Sequence, residues 1–160
     1  MNKAVFLDRD GVVNMERGEY TWQKDDFILT SGLIYFIRAV KEMGYLVIII
    51  SNQGGVGKGV YSISDVDIVH KYLIDRLASH DLDLTDIYFC PHHPDSGRCL
   101  CRKPESILLE KAIARYNIDA SCSYFIGDSK RDEEAGKKVN LYTVLVEPNA
   151  DLRKFLHLIK

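Results

Sequence analysis

The chain has 160 residues, 46% hydrophobic and 28% charged, the balance of a soluble globular protein large enough to bury a real core. Its net charge of -2 offers no basic excess to displace counterions, which argues against nucleic acid as an obligatory partner but leaves room for a small anionic substrate in a local positive pocket. The longest apolar run, residues 45–50, is too short to span a membrane, and the N-terminus enters a strand directly, so no signal peptide, no membrane contact and a cytoplasmic location are expected.

Strand and helix signals alternate along the chain. Lys3 to Leu7 is a short apolar strand that ends in Asp8-Arg9-Asp10-Gly11. Asn14 to Asp26 is polar and irregular, with Tyr20 and Trp22 inside it, and reads as a loop near the site. Leu33, Phe36, Ile37 and Val40 recur at helical spacing, with Ser31 as N-cap and Gly44 as C-cap. Tyr45 to Ile50 is a continuous apolar run rich in β-branched residues that suits a strand buried on both faces, and it leads through Ser51-Asn52-Gln53 into a glycine-rich loop ending at Gly59. A second helix begins near Ser62 or Ser64 and turns Val66, Val69, Leu73 and Leu77 inward. Ile87 to Phe89 is a third strand. Ile107, Leu108, Ala112 and Ile113 mark a third helix, and Ser123 to Ile126 a fourth strand that ends in Gly127-Asp128. A helix through Ala135, a fifth strand from Tyr142 to Val146 and a closing helix over 152–159 complete the chain. The pattern predicts one domain over residues 1–160: an α/β fold with a Rossmann-like parallel sheet of about five strands and helices on both faces.

Such a sheet gathers the carboxyl ends of its strands in one crevice. The polar residues at those ends are Asp8 and Asp10, Ser51 and Asn52, Cys90, and Asp128. Residues two apart in an extended segment point the same way, so Asp8 and Asp10 can share one small site, with Gly11 allowing a sharp turn behind them. Adjacent carboxylates repel unless a cation or a shared proton relieves them. The chemistry they suggest is a magnesium site in which one carboxylate is free to attack; a solvated Asp-Gly turn would carry the same residues.

The stretch from Cys90 to Pro104 is rich in Cys, His and Pro and has no periodicity. Cys90, Cys99 and Cys101 with one histidine, His92 or His93, can close a tetrahedral zinc site with no open position, which makes a structural rather than a catalytic centre. Arg102 and Lys103 follow Cys101 directly, so the ion would anchor two cations that meet substrate.

Asp8-x-Asp10-Gly11, Ser51-Asn52, Lys103 and Gly127-Asp128-x-x-x-Asp132 occur in that order and together resemble the four motifs of the haloacid dehalogenase superfamily of phosphatases. The resemblance runs from about residue 3 to residue 146. It implies that Asp8 is the nucleophile and forms an aspartyl-phosphate. Asp10 would protonate the leaving oxygen and then activate water, which calls for a pKa above the ordinary value of about 4. Magnesium would be held by the Asp8 carboxylate, the Asp10 backbone carbonyl and Asp128. Ser51 and Lys103 would hold phosphoryl oxygens, with Asn52, Gln53 and Arg102 completing the substrate site. Asp132 would orient a metal-bound water or Lys103; a helix N-terminal acid would look the same.

The zinc loop is similar to the branch that contains heptose 1,7-bisphosphate 7-phosphatases and histidinol-phosphate phosphatases, and it implies His92 as the fourth zinc ligand with His93 as the spare. Cys90-Pro91-His92-His93-Pro94 and the tyrosine-bearing loop after Asn14 stand nearer the heptose enzymes. Lys58 departs from the arginine those enzymes usually carry, and residues 15–26 match neither group cleanly. The expected partner is thus a small phosphorylated substrate, a sugar bisphosphate before histidinol phosphate, with no obligatory protein partner. A non-catalytic zinc-stabilised binding module is the reading from another class; loss of Asp8 or Asp10 would be its mark, and both are present.

No insertion follows Asp10 or Ser51 that is large enough for a cap domain. The site should therefore be open, with selectivity from the loops at 14–26 and 53–61 and from the zinc loop, and with charge from Arg102 and Lys58. Residues 54–59 lack the G-x-x-x-x-G-K-[ST] order of a nucleotide loop. Cys122 is expected as a small buried hydrophobe, and His70 and His80 at the surface.

Overall fold

The computed structural model describes residues Met1–Lys160. Five strands, β1 (Lys3–Leu7), β2 (Tyr45–Asn52), β3 (Asp86–Cys90), β4 (Tyr124–Gly127) and β5 (Tyr142–Leu145), form one parallel sheet in the order β3-β2-β1-β4-β5. Four helices connect them: α1 (Leu33–Glu42), α2 (Ile63–Ala78), α3 (Ile107–Arg115) and α4 (Lys130–Lys138). The chain winds outward from β1 to β3, returns to the other side of β1 and ends at β5. The turning point lies between β1 and β4, where crevices form in sheets of this kind.

Side-chain alternation divides the core into two layers. Val5 and Leu7 of β1 and Val47 and Ile49 of β2 pack with Phe36, Ile37 and Val40 of α1 and Val69, Leu73 and Leu77 of α2. Ala4 and Phe6 with Ile48 and Ile50 pack on the other face, with Leu108, Leu109 and Ala112 of α3 and Ala135 of α4. Burial on both faces is why β2 reads as an unbroken apolar run. Register then aligns the strand ends. Leu7 pairs with Ile49 and with Ile126, and Asn52 pairs with Cys90, so Asp8, Ser51, Cys90 and Asp128 emerge at one edge of the sheet.

The ends of the elements differ from expectation in three places, while α2 starts where expected. Helix α1 is entered through Gly32, in the left-handed region, and not through a Ser31 cap. Helix α2 has a reciprocal cap at Ser62: the Asp65 amide donates to Ser62 Oγ, and the Ser62 amide donates to Asp65 Oδ2. The tail over Leu152–Leu158 is 3-10 rather than α-helix, and Leu152 and Ile159 tie it to the core. Cys122 is exposed at the end of a 3-10 turn, because the buried position belongs to Ser123, whose hydroxyl bridges the Asp119 carbonyl and the Ala4 amide.

His70 is buried, not at the surface. It lies one turn from Val66 and Leu73 on the inward face of α2, edge-on to Phe89, and its Nε2 meets no hydrogen-bond partner. Burial, and then the charge of Arg9, lower its pKa to about 3. The unfolded imidazole takes up a proton below about pH 6.5, whereas the folded one does not until far lower, so stability falls as the pH drops through that interval. This single group contributes up to about 1.4 kcal/mol per pH unit there. In His70→Leu, thermal unfolding followed by circular dichroism should show a Tm that declines less between pH 6.5 and 4.5 than that of the wild type.

Candidate active site

Lys103 is 3% exposed, and its ammonium lies at the floor of the crevice. It donates to Asp8 Oδ1 at 2.7 Å and to the Ile50 carbonyl at 2.9 Å, and it makes an ion pair with Asp132 Oδ1 at 2.6 Å whose angles fall outside a hydrogen bond. Asp132 uses its other oxygen to cap α4, accepting from the amide and hydroxyl of Ser129. Asp132 thus pairs with Lys103 and at the same time serves as a helix N-terminal acid. The Asp8 carboxylate also accepts from the Arg9 amide at 2.7 Å through Oδ1, which leaves Oδ2 without a protein donor.

Carboxylate oxygens of Asp8, Asp128 and Asp132 come within 4.8 Å of one another. Only one ammonium faces these three carboxylates. Burial, opposed by Lys103 and reinforced by Asp132, pushes the Asp8 carboxyl up to about 8; burial and Asp132 likewise raise Asp128. Burial alone would lower Lys103, but Asp8 and Asp132 outweigh it and hold the ammonium above its ordinary value. A cluster of oxygen donors with uncompensated negative charge fits a hard divalent cation such as magnesium.

Asp10 occupies the opposite environment. Its Oδ1 accepts from Arg9 Nη2 at 2.7 Å and Asn14 Nδ2 at 3.0 Å, and its Oδ2 accepts from Gln53 Nε2 at 2.9 Å. Arg9 is itself buried, and its Nη2 also reaches the Thr21 carbonyl at 2.6 Å. Burial works to raise the Asp10 carboxyl, but the Arg9 charge and these hydrogen bonds outweigh it and leave the group below its ordinary value. The expected elevation is therefore absent here, because Arg9 is an internal counter-ion that the motif spacing does not reveal.

The zinc-loop donors converge. Sγ of Cys90, Cys99 and Cys101 and Nδ1 of His92 lie within 4.8 Å of one another, with close separations of 2.9 to 3.7 Å. Zinc with ordinary bond lengths would set its tetrahedral edges at about 3.5–3.8 Å, so the four donors fit one ion with little adjustment. His93 turns away: its Nδ1 accepts from the Asp95 amide at 3.1 Å and sits 3.3 Å from the Asp95 carboxylate. The same loop delivers the cations. Asn52 clasps the Lys103 backbone on both sides, accepting from its amide at 2.9 Å and donating to its carbonyl at 3.1 Å, and Arg102 Nη1 donates to the His92 carbonyl at 3.2 Å.

A cavity of about 690 Å³ opens above this floor, with Asp8, Asp10, Asp128, Asn52, Gln53, Arg102 and Lys103 in its wall. Ser51 is fully buried behind that wall: its Oγ accepts from Gln53 Nε2 at 2.8 Å, and the hydroxyl's own proton has no protein acceptor. Lys58 is exposed and takes no part in the cavity, contrary to expectation. The second cation beside Arg102 is Arg131, from the first turn of α4, which motif reading passed over. Its signal was a basic residue at a helix N-terminus, where the dipole disfavours positive charge. Glu16, Glu19 and Tyr20 line the cavity from the 14–26 loop.

The comparisons with known proteins agree with this geometry. A family profile described as HAD-hydrolase-like matches residues 100–154. The D-glycero-beta-D-manno-heptose-1,7-bisphosphate 7-phosphatase of Haemophilus influenzae is 39% identical over 141 residues, covering 85% of this chain and 76% of that protein. The Pasteurella multocida protein of the same name is 38% identical over 153 residues, covering 92% and 83%. A crystal structure of D,D-heptose 1,7-bisphosphate phosphatase from B. bronchiseptica, complexed with magnesium and phosphate, superposes with a TM-score of 0.86 at 30% identity and covers 98% of this chain and 86% of that one.

Gly11 is what lets Asp128 approach. A Cβ on Gly11 would stand 2.0 Å from Asp128 Oδ2, and its φ of +88° is itself unfavourable for other residues. Gly11→Ala should therefore weaken divalent-cation binding by at least about tenfold, roughly 1.4 kcal/mol, in isothermal titration calorimetry with magnesium. Unchanged affinity would mean that Asp128 does not take part in holding the cation.

Proposed function

The chain belongs to the heptose 1,7-bisphosphate 7-phosphatase family of haloacid dehalogenase-like hydrolases, and from that premise we propose that it is a phosphomonoesterase that removes the C7 phosphate of D-glycero-D-manno-heptose 1,7-bisphosphate through an aspartyl-phosphate. Residues 1–160 would act as one capless phosphatase unit. The observation that carries the reading is the charge imbalance at the crevice floor, where Asp8, Asp128 and Asp132 face the single Lys103 ammonium. It suits a site completed by a cation and an incoming phosphate.

Asp8, Asp128 and the Asp10 backbone carbonyl would hold magnesium, which offsets the repulsion between the attacking carboxylate and the phosphoryl oxygens when bound. Asp8 Oδ2, free of protein donors, attacks phosphorus as the P–O bond to the sugar breaks. Asp10 gives its proton to the departing oxygen. A phosphate dianion brought beside Asp10 raises its proton affinity against the pull of Arg9, and after the alcohol leaves Arg9 favours the carboxylate that must act as base. Asp10 then takes a proton from water as that water attacks phosphorus. The P–Oδ bond of the aspartyl-phosphate breaks, and inorganic phosphate and the Asp8 carboxylate are released. Lys103 neutralises the phosphoryl oxygens, and the uncommitted Ser51 proton is available to one of them.

Arg102 and Arg131 both line the cavity in addition to Lys103, and three cations in one lining support a substrate with two phosphates over one carrying an amine. Zinc on Cys90, His92, Cys99 and Cys101 would hold Arg102 and Lys103 in place from outside the reaction.

Phosphate release with magnesium tests the reading. kcat/KM for the heptose bisphosphate should exceed that for histidinol phosphate by about a hundredfold or more, near 3 kcal/mol of differential transition-state binding. The reverse order would overturn the substrate. Asp8→Asn should lower kcat by at least about a thousandfold, the scale of losing a nucleophile, and any rate near wild type removes Asp8 from that role. Metal analysis should find one zinc per chain, lost in Cys99→Ser. Zinc-free, magnesium-replete protein should show a raised KM and faster proteolysis between Cys90 and Lys103; full activity without zinc would refute the anchoring role.

A further inference from the structure

Gln53 borders the cavity, yet every polar atom of its amide is committed inside the protein. One hydrogen goes to Asp10 Oδ2 at 2.9 Å and the other to Ser51 Oγ at 2.8 Å, while Oε1 accepts from the Tyr61 hydroxyl at 2.7 Å. The residue is 2% exposed. An amide used in this way has no donor left for a ligand. The Asp10 carboxylate, which only accepts, sets which end of the amide faces the reacting groups, and the Tyr61 hydroxyl is the one donor that completes Oε1 in that orientation. Were the amide reversed, its oxygen would face the Asp10 carboxylate, an acceptor facing an acceptor.

The surroundings of Tyr61 hold its ring in place. It stacks on Trp22 with centroids 6.0 Å apart and planes 11° apart, and it meets Tyr20 edge-on at 5.7 Å. Its ring passes so close over the chain that a Cβ at Gly55 would lie 2.1 Å from Cε1. Tyr20 and Thr21 line the cavity, so the ring gripped by this loop is also the ring that holds the Gln53 amide.

We propose that Tyr61 is a positioning residue for the hydrolytic reaction: through Gln53 it fixes Asp10 Oδ2 and the Ser51 hydroxyl in the orientation the transition state requires, and Gln53 serves as the relay rather than as a substrate ligand. In this arrangement Gln53 donates to Ser51 Oγ, which turns the serine's own proton away from the amide and leaves it for a phosphoryl oxygen. The same amide holds the Asp10 carboxylate in one rotamer between Arg9 on one oxygen and Gln53 on the other. Loss of the Tyr61 hydroxyl would leave Oε1 unpaired in a buried place, which loosens the amide's hold on both catalytic groups at once. The proposal rests on the phosphatase reading given above.

The test is steady-state kinetics of Tyr61→Phe, which keeps the ring and removes only the hydroxyl, with Gln53→Met and the double variant, on the heptose bisphosphate and on p-nitrophenyl phosphate. Tyr61→Phe should lower kcat by about tenfold on both substrates with KM within about twofold, the pattern of an interaction made only in the transition state. Gln53→Met should lose a similar factor, and adding Tyr61→Phe to it should cost nothing more, because the hydroxyl acts through an amide that is no longer there. A wild-type kcat in Tyr61→Phe, or multiplicative losses in the double variant, would overturn the relay. A higher KM at unchanged kcat would also overturn it, by making Gln53 a substrate ligand after all. Should Gln53→Met fail to fold, the split between kcat and KM in Tyr61→Phe alone decides. Failure of the wild-type enzyme to release phosphate from either ester would instead refute the phosphatase reading, so the two failures are distinguishable.

Discussion

The site depends on one buried ammonium. Lys103 links the end of β1 through Asp8, the end of β2 through the Ile50 carbonyl and the start of α4 through Asp132, residues far apart in sequence. An ammonium buried to this degree is tolerable only because two carboxylates and a carbonyl surround it. Those carboxylates are tolerable to each other only because the ammonium lies between them. Each charge thus requires the others to be in place, which fixes the relative positions of three elements more tightly than apolar packing at the sheet edge would. Lys103 arrives on a loop that contributes little to either core layer. The Asn52 clasp on its backbone and the cysteine cluster just before it therefore set where the ammonium lies.

Asp8 and Asp10 show how one short segment serves two kinds of chemistry. They are one residue apart, yet Asp8 stands among other carboxylates and Asp10 faces a buried guanidinium. Arg9, between them in sequence, makes the difference: its amide serves Asp8 and its side chain serves Asp10. The sequence Asp-Arg-Asp places a charge of either sign within reach of both groups, and the fold separates them by sending the guanidinium toward Thr21 and the 14–26 loop. The two environments are what allow chemically identical side chains to take different roles.

Most of the frame was legible because it obeys local rules. Strands buried on both faces had to be apolar runs, and their carboxyl ends had to collect the polar residues. That reasoning reaches Asp8, Asp10, Asn52, Cys90 and Asp128 without any view of the structure. It failed where a side chain's surroundings come from distant segments. His70 looked solvated because histidine usually is, although its spacing from Val66 and Leu73 put it on the inward face. Lys58 looked like a substrate cation because it lies in the 53–61 loop, where the family that the chain resembles usually carries arginine, but the loop leaves it exposed and Arg131 stands in the cavity instead. Gln53 looked like a substrate residue because the family resemblance groups it with Asn52, and only its bonds to Asp10, Ser51 and the Tyr61 hydroxyl reveal that its amide is already engaged. The position of Asp8 follows from strand pairing; the state of Asp10 follows from Arg9, Asn14 and Gln53 meeting in space, which no spacing rule encodes.

The glycine-rich stretch after Gln53 takes a different meaning in this light. Its composition suggests a backbone cradle for phosphate, but its neighbours are protein. A Cβ at Gly57 would stand 2.6 Å from the His93 amide nitrogen, and one at Gly54 would stand 2.9 Å from Arg102 Nη1. The Gly57 amide donates to the Pro91 carbonyl at 2.8 Å, so the stretch lies directly against the cysteine loop. On its other side it carries Tyr61 against Trp22 and Tyr20. Small residues are needed here because three loops must close on one another with no cap domain above them. In an open site, water exclusion and selectivity have to come from contact among the loops themselves. A side chain added at Gly57 would separate the cysteine loop, with Arg102 and Lys103 behind it, from the aromatic loop that grips Tyr61. The stretch is thus the seam along which the cation-bearing and aromatic walls of the cavity meet, and its glycines contribute by the close approach that they allow.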